Sequence, residues 1–200
     1  EQYCLPATFF ITTGQIEQQT PYWWDELGYI IRDRELYTQH WNRLLPMPYN
    51  RQQDELSLLR ASAGVMHGSH AEEMCMSADQ LKALASNPLF DLGVHTVTHP
   101  ALAHHDRATQ QEEITNAKAW LEQLTGRRAG LLAYPYGNYD ETTINIAEQQ
   151  FDAAFTTEQR VITGSSGKYQ SGRFQVKNWD GQEFAAQLEQ WLKNGKWFNH

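Results

Sequence analysis

Short apolar runs alternate along this chain with stretches of helical periodicity, and that alternation restricts the fold more than any other feature. The runs are Pro6 to Thr12, Asp91 to His95, Leu131 to Tyr134, Asp152 to Thr156 and Arg173 to Lys177. A strand that leads through a helix to the next strand makes a crossover, and crossovers build parallel sheets. The expected class is therefore α/β, as a parallel barrel or an open sheet. In such folds the sites form where the strands reach their carboxyl ends.

The helical stretches carry their own punctuation. Tyr22 to Gln39 places Trp23, Leu27, Ile30 and Ile31 at helical spacing. Trp23 and Trp24 read first as core, then as groove wall, because large aromatics carry most of their value by burial. Residues 40–75 are broken by Pro46 and Pro48, leaving Gln52 to Ala61 as a short helix and Gly64 to His70 as a loop. Ser77 and Gln80 fit a capping box for a helix to about Ser86, with Leu81 and Leu84 inward. Asp106 caps a long helix that ends at Gly126, with a stripe of Ile114, Ala117, Leu121 and Leu124. Asp140 caps a helix holding Ile144, Ile146 and Ala147. Gly164 to Gly172 reads as loop. Asp180 opens a last helix, with Phe184, Leu188 and Trp191 inward and Gly195 at its end.

Length and composition set limits on function. The 200 residues suit one domain with room for a small insertion, and 40% hydrophobic with 20% charged residues is ordinary globular composition. A net charge of −8 argues against nucleic-acid binding, which needs a basic face. No run approaches the roughly 20 apolar residues that span a bilayer. Cys4 and Cys75 stand alone, so no disulfide framework is implied, and Cys4 reads as a small buried hydrophobe.

Chemistry concentrates in Leu92 to Pro100, LGVHTVTHP. His95 and His99 stand four apart, which on a helix would put both on one face. Thr96, Val97 and Thr98 are a β-branched run, however, and Pro100 biases His99 away from the α region. A helical zinc-protease motif would also need glutamate where Thr96 stands. The better reading is a strand running into a loop that returns His99 beside His95, with solvated loop histidines as the bland alternative. His67 and His70 have a metal-like spacing without a partner motif, and His104 and His105 read as polar groups leading into a helix.

A second stretch, Leu131 to Asp140, LLAYPYGNYD, ends an apolar run in a Pro-Tyr-Gly turn. Together with the opening LPATFFITTG, these ordered segments resemble the polysaccharide deacetylases of the NodB-homology family, carbohydrate esterase family 4. The resemblance covers nearly the whole chain. It implies a distorted parallel (β/α) barrel, in which His95 and His99 bind a divalent metal, expected to be Zn²⁺. It implies a function as well: metal-dependent removal of N-acetyl groups from a polysaccharide or amino sugar. The metal polarises the acetamide carbonyl and activates water, and Tyr136 supplies a backbone N–H to the developing oxyanion. Pro135, Tyr136 and Trp179 would line the substrate groove, Trp179 serving equally well as core.

Departures from the family pattern carry expectations of their own. The family's third metal ligand and its general base are the aspartates of a T-F-D-D-G strand, and this sequence has no Asp-Asp pair. Residues 1–200 accordingly read as a single deacetylase-like domain that is incomplete at its amino end, its first β/α unit missing. Ala133 stands where many members carry arginine, with Arg173 or another cation as a candidate substitute. The late L-x-H motif, whose histidine is the general acid, has no clear match, and His200 suits it poorly. Asp91, Asp140 and Asp180 do not obviously replace the lost aspartates. The chain alone is expected to be inactive, to bind metal weakly and to self-associate through an exposed strand edge. The alternative from another class is a non-catalytic carbohydrate-binding or structural relic of the same fold.

Overall fold

A computed structural model describes residues 4–65, 75–162 and 167–194. His67, His70, Gly195 and His200 lie outside the described residues, as does part of each expected loop around Gly64 to His70 and Gly164 to Gly172.

Four strands pair in parallel in the order β1-β2-β3-β4. They are β1 (Ala7–Ile11), β2 (Phe90–Val94), β3 (Leu131–Ala133) and β4 (Ala153–Phe155). Sequence order equals spatial order, the arrangement that repeated one-way crossovers generate. Alternation along the strands separates two faces. Ile11, Leu92, Val94, Leu132, Tyr134 and Ala154 point into the main core, together with Leu81, Ile114, Ala117, Leu121, Ile146 and Ala147 from the helices. Those helices are α5 (Ala78–Ala85), α6 (Arg107–Thr125) and α7 (Glu141–Gln150), each starting at the expected cap. Ser77 and Gln80 close a full capping box, and Asp106 and Asp140 accept from the third residue beyond.

The other face of the sheet curls. Phe10 pairs in register with Gly93, and a side chain at Gly93 would come within 2.5 Å of the Phe10 ring. With that space free, the ring crosses the sheet to Phe155 on β4, centroid to centroid 5.6 Å. This is the curvature a barrel needs, although the pairings among the described residues form an open sheet.

A second core lies between β1 and α5. The expected single helix from Tyr22 to Gln39 is two, α2 (Trp23–Ile30) and α3 (Arg34–Leu44), because Asp33 caps a new helix by accepting from Leu36 N. The stretch that resists sequence reading contains α4 (Tyr49–Ala63), which starts directly after Pro48. These three helices bury Trp23, Leu27, Ile31, Leu44 and Leu56. A short helix not expected from the sequence, α1 (Thr13–Gln18), follows β1.

Three further expectations change. Cys4 is exposed, and the first half of β1 is exposed with it. The stretch Arg173 to Lys177 is not a strand. The chain pairs beside β4 earlier, at Ser171, and then leaves over residues 158–160, with Arg173 N bonded to Glu158 O. The last helix, α8 (Gly181–Asn194), opens at Asp180 as expected, but Phe184 and Leu188 are 37% and 42% exposed. Its apolar stripe meets Phe174 and Trp179 through Trp191 instead of entering the main core.

Leu132→Ala should therefore cost about 2–5 kcal/mol in chemical denaturation, the range for a fully buried leucine. Leu188→Ala should cost no more than about 0.5 kcal/mol, as for a surface position.

Candidate metal and substrate site

His95 follows β2 and His99 follows four residues later, at the carboxyl end of the sheet where the parallel arrangement predicts a site. Their Nε2 atoms stand 3.1 Å apart with the rings nearly perpendicular, at 83°. The loop between them holds an uncommon backbone. Thr96 and His99 have φ of +68° and +61°, the left-handed region that β-branched residues rarely occupy. Thr96 Oγ1 donates to His95 O at 2.6 Å and accepts from His99 N at 3.1 Å, so the turn is bridged by its own hydroxyl.

Two neighbouring elements clamp this loop. Glu113 of α6 accepts from Val97 N and Thr98 N, both at 2.9 Å, and from the Thr98 hydroxyl at 2.7 Å. On the opposite side, Thr13 N and Gly14 N at the start of α1 donate to Thr96 O and Val97 O. A side chain at Gly14 would lie 2.7 Å from Val97 O, so only glycine allows that approach. Burial pushes the Glu113 carboxyl above the usual range, opposed by its three bonds.

The imidazoles are kept neutral. His95 is lowered to about 4, first by burial, with the Arg173 charge adding to the shift and the bond to Ala133 O opposing it. His99 is lowered to about 3, again mainly by burial and then by His95. His95 Nδ1 lies 2.7 Å from Ala133 O. A carbonyl only accepts, so Nδ1 carries the proton and Nε2 presents a lone pair. Across the 3.1 Å gap His99 Nε2 then donates, and its buried Nδ1 has no partner among the described residues.

A divalent cation fits this pair. Two imidazole ligands on a tetrahedral ion at ~2.0–2.1 Å place their nitrogens about 3.3 Å apart, close to the separation seen. The Ala133 carbonyl gives His95 the outer hydrogen bond that orients metal-bound imidazoles. The pair supplies half of such a shell. Among the described residues no group of three His, Cys, Asp or Glu converges on one point.

Tyr136 lies in a short 3₁₀ turn, Pro135–Gly137, with φ of +58°. Its N–H has no acceptor among the described residues. Its ring packs edge-on against His99 at 4.6 Å, and its hydroxyl accepts from Trp23 Nε1 at 3.0 Å. Trp24 and Tyr22 also approach His99, at 4.7 and 5.8 Å between centroids. Trp23 is thus core, as expected, while Trp24 is a wall. Trp179 packs on Trp191 of α8, and Pro135 is buried under the turn. His104 is exposed on the turn before α6. Asp91 is exposed and pairs with Arg127, and Asp140 and Asp180 serve as helix caps. Glu113 escapes sequence reading, although its place beside Ile114 on the inward side of α6 is a usable signal. The aromatic cluster Tyr22-Trp23-Trp24 is another.

Because both histidines titrate lower in the fold than in the unfolded chain, they contribute stability that is fully present above about pH 6.5. That contribution should fall as pH drops toward 4, and melting from pH 7.5 to 4.5 should show a drop that His95→Gln/His99→Gln flattens. Glu113→Ala leaves two backbone donors unsatisfied and should cost about 2–4 kcal/mol by denaturation. Glu113→Gln, whose carbonyl can take both N–H groups, should retain most of that stability.

With this geometry in hand, comparison with known proteins is specific. Residues 1–151 match the family model described as polysaccharide deacetylase. A Bacillus subtilis (strain 168) protein, YxkH, provisionally named a polysaccharide deacetylase, is 26% identical over 116 residues. That alignment takes in 57% of this chain and 41% of YxkH. Among solved structures, the Streptococcus pyogenes deacetylase PplD, in complex with acetate, superposes with a TM-score of 0.54 at 16% identity. It covers 92% of this chain and 96% of its own. A Bacillus cereus polysaccharide deacetylase gives 0.52 at 23% identity over 58% of this chain and 37% of its own. The two structural likenesses speak for the fold alone.

Proposed function

This chain belongs to the polysaccharide deacetylase family, and from that premise we propose that its site removes N-acetyl groups from a glycan by metal-dependent hydrolysis. The observation that carries the reading is the convergence of two neutral Nε2 atoms, 3.1 Å apart, at the carboxyl end of a parallel sheet. His95 and His99 would hold the ion, and when bound it would polarise the acetamide carbonyl and raise the acidity of water.

The remaining roles belong to the chain itself. Glu113 and Gly14 hold the histidine loop, so the two Nε2 atoms already stand side by side and only the His99 proton has to move to Nδ1 when an ion binds. The Tyr136 N–H, free among the described residues on the turn whose ring packs against His99, is the oxyanion donor in this reading. A donor aimed at developing charge in a dry site is typically worth ~10²–10³ in rate. Trp24, Tyr22 and the Tyr136 ring exclude water from one side of His99 and offer flat apolar surface to a sugar ring. Pro135 pre-sets the turn that presents the amide. PplD is a deacetylase captured with acetate, the product that this reaction releases.

The family resemblance gives the general base and the third ligand to an aspartate pair that this sequence does not contain. Without them, the described residues should hold metal weakly. Acetate release from N-acetylated oligosaccharides by the protein, with and without a chelator, tests the proposal. Chelator-sensitive release that falls at least about 100-fold in His99→Gln is expected. Release indifferent to chelator and to His99 would contradict it.

A further inference from the structure

Thr157 connects the site to a second cleft. Its hydroxyl donates to Tyr136 O at 3.3 Å, and a side chain at Gly137 would run into it. Thr157 also lines a cavity of about 410 Å³ with Gln159, Arg173, Phe174 and Gln175. The cleft follows β4 and so opens at the same end of the sheet as the histidines.

Arg173 is held in this cleft by two contacts. Its Nε donates to Thr156 O at 2.9 Å, and its guanidinium lies 5.7 Å from the centre of the Phe10 ring. Arg173 as a residue is exposed, although the packing around its guanidinium lowers its pKa and no carboxylate among the described residues acts to raise it. A guanidinium in that position is a partly desolvated cation with its terminal nitrogens still to be matched. Its planar fork suits a carboxylate, which it can grip with two parallel bonds. Around it, Thr157, Gln159 and Gln175 offer the neutral donors and acceptors that hydroxyl groups need. Phe174 is fixed by stacking on Trp191, at 4.5 Å and 19°, and supplies an apolar wall.

We propose that this cleft is a subsite for a carboxylate-bearing sugar, adjacent along the same glycan to the acetylated sugar at the histidine pair. The proposal rests on the deacetylase reading and adds a substrate class to it. The protein as a whole carries −8 and repels polyanions at long range, so selectivity here has to be local. It follows that the preference should weaken as added salt screens a partly exposed pair.

The test compares binding of two probes by calorimetry, a hyaluronan tetrasaccharide, which alternates acetamido sugars with uronates, and the neutral tetra-N-acetylchitotetraose. The intact chain should bind the hyaluronan probe about tenfold more tightly, the scale of one charge-assisted bidentate pair. Arg173→Gln should bring the two affinities within about twofold, and Arg173→Lys should keep part of the preference. Gln175→Ala, on the exposed rim, should weaken both probes alike and leave the ratio unchanged. Equal affinities in the intact chain, a preference that survives Arg173→Gln, or no binding of either probe would each overturn the subsite. Acetate release from the chitotetraose reports separately on the reaction. Equal affinities would remove the subsite and leave the deacetylase reading standing, and acetate release indifferent to chelator and to His99→Gln would do the reverse.

Discussion

The half-buried carboxylate of Glu113 is the contact on which the candidate site depends. It reaches from α6 into a loop that regular secondary structure cannot hold, and accepts from two consecutive backbone N–H groups and a hydroxyl. Left-handed backbone at Thr96 and His99 costs about 1–3 kcal/mol at each residue and persists only when the surroundings over-determine it. Glu113 on one side and the first N–H groups of α1 on the other provide that constraint. The result is a pair of imidazoles whose relative position is set by backbone bonds more than by their own rotamers. Burial then removes their charge, so both rings stay neutral across the neutral and mildly acidic range.

Tyr136 ties this loop to the rest of the molecule. It sits on the turn after β3, beside His99, yet its ring belongs to the second core through Trp23, Trp24 and Trp41. The helices α2 to α4 are therefore more than an elaboration between β1 and α5. They cover one side of the histidines, and their packing is felt at the turn whose amide would meet the substrate. A change in Trp41 or Leu44 should reach the site by this route.

Much of this was legible in the residues. The caps at Ser77, Asp106 and Asp140 are local chemistry, and the structure places helices at each. The β-branched run at Thr96 to Thr98 and the proline after His99 correctly exclude a helix there. What failed to show depends on contacts distant in sequence. Glu113 reaches loop residues 15 and 16 positions away, and only its place on the inward side of α6 separates it from Glu112. The helix break at Asp33 lies in the charged run Arg32 to Glu35, which the solvated face of a continuous helix could equally carry. Arg173 to Lys177 has the composition of a strand, but Arg173 bonds across to Thr156 and Glu158, and the chain beyond it has no partner strand among the described residues. The exposed apolar stripe of α8 follows the same rule, since periodicity reports which side is apolar and not what covers it.

The protonation of the histidine pair tests the account most directly. His95 should carry its proton on Nδ1, because it faces the Ala133 carbonyl, and His99 on Nε2, because it faces the lone pair of His95. Nitrogen-15 spectra of histidine-labelled chain, assigned with single His→Gln variants, should show these two tautomers and no imidazolium at pH 6. Titration with Zn²⁺ should shift both Nε2 signals together and move the His99 proton to Nδ1, while His95 keeps its tautomer. An Nε2-protonated His95 in the metal-free chain, or a Zn²⁺ response at only one of the two rings, would contradict the reading of this pair as a preformed half of a metal site.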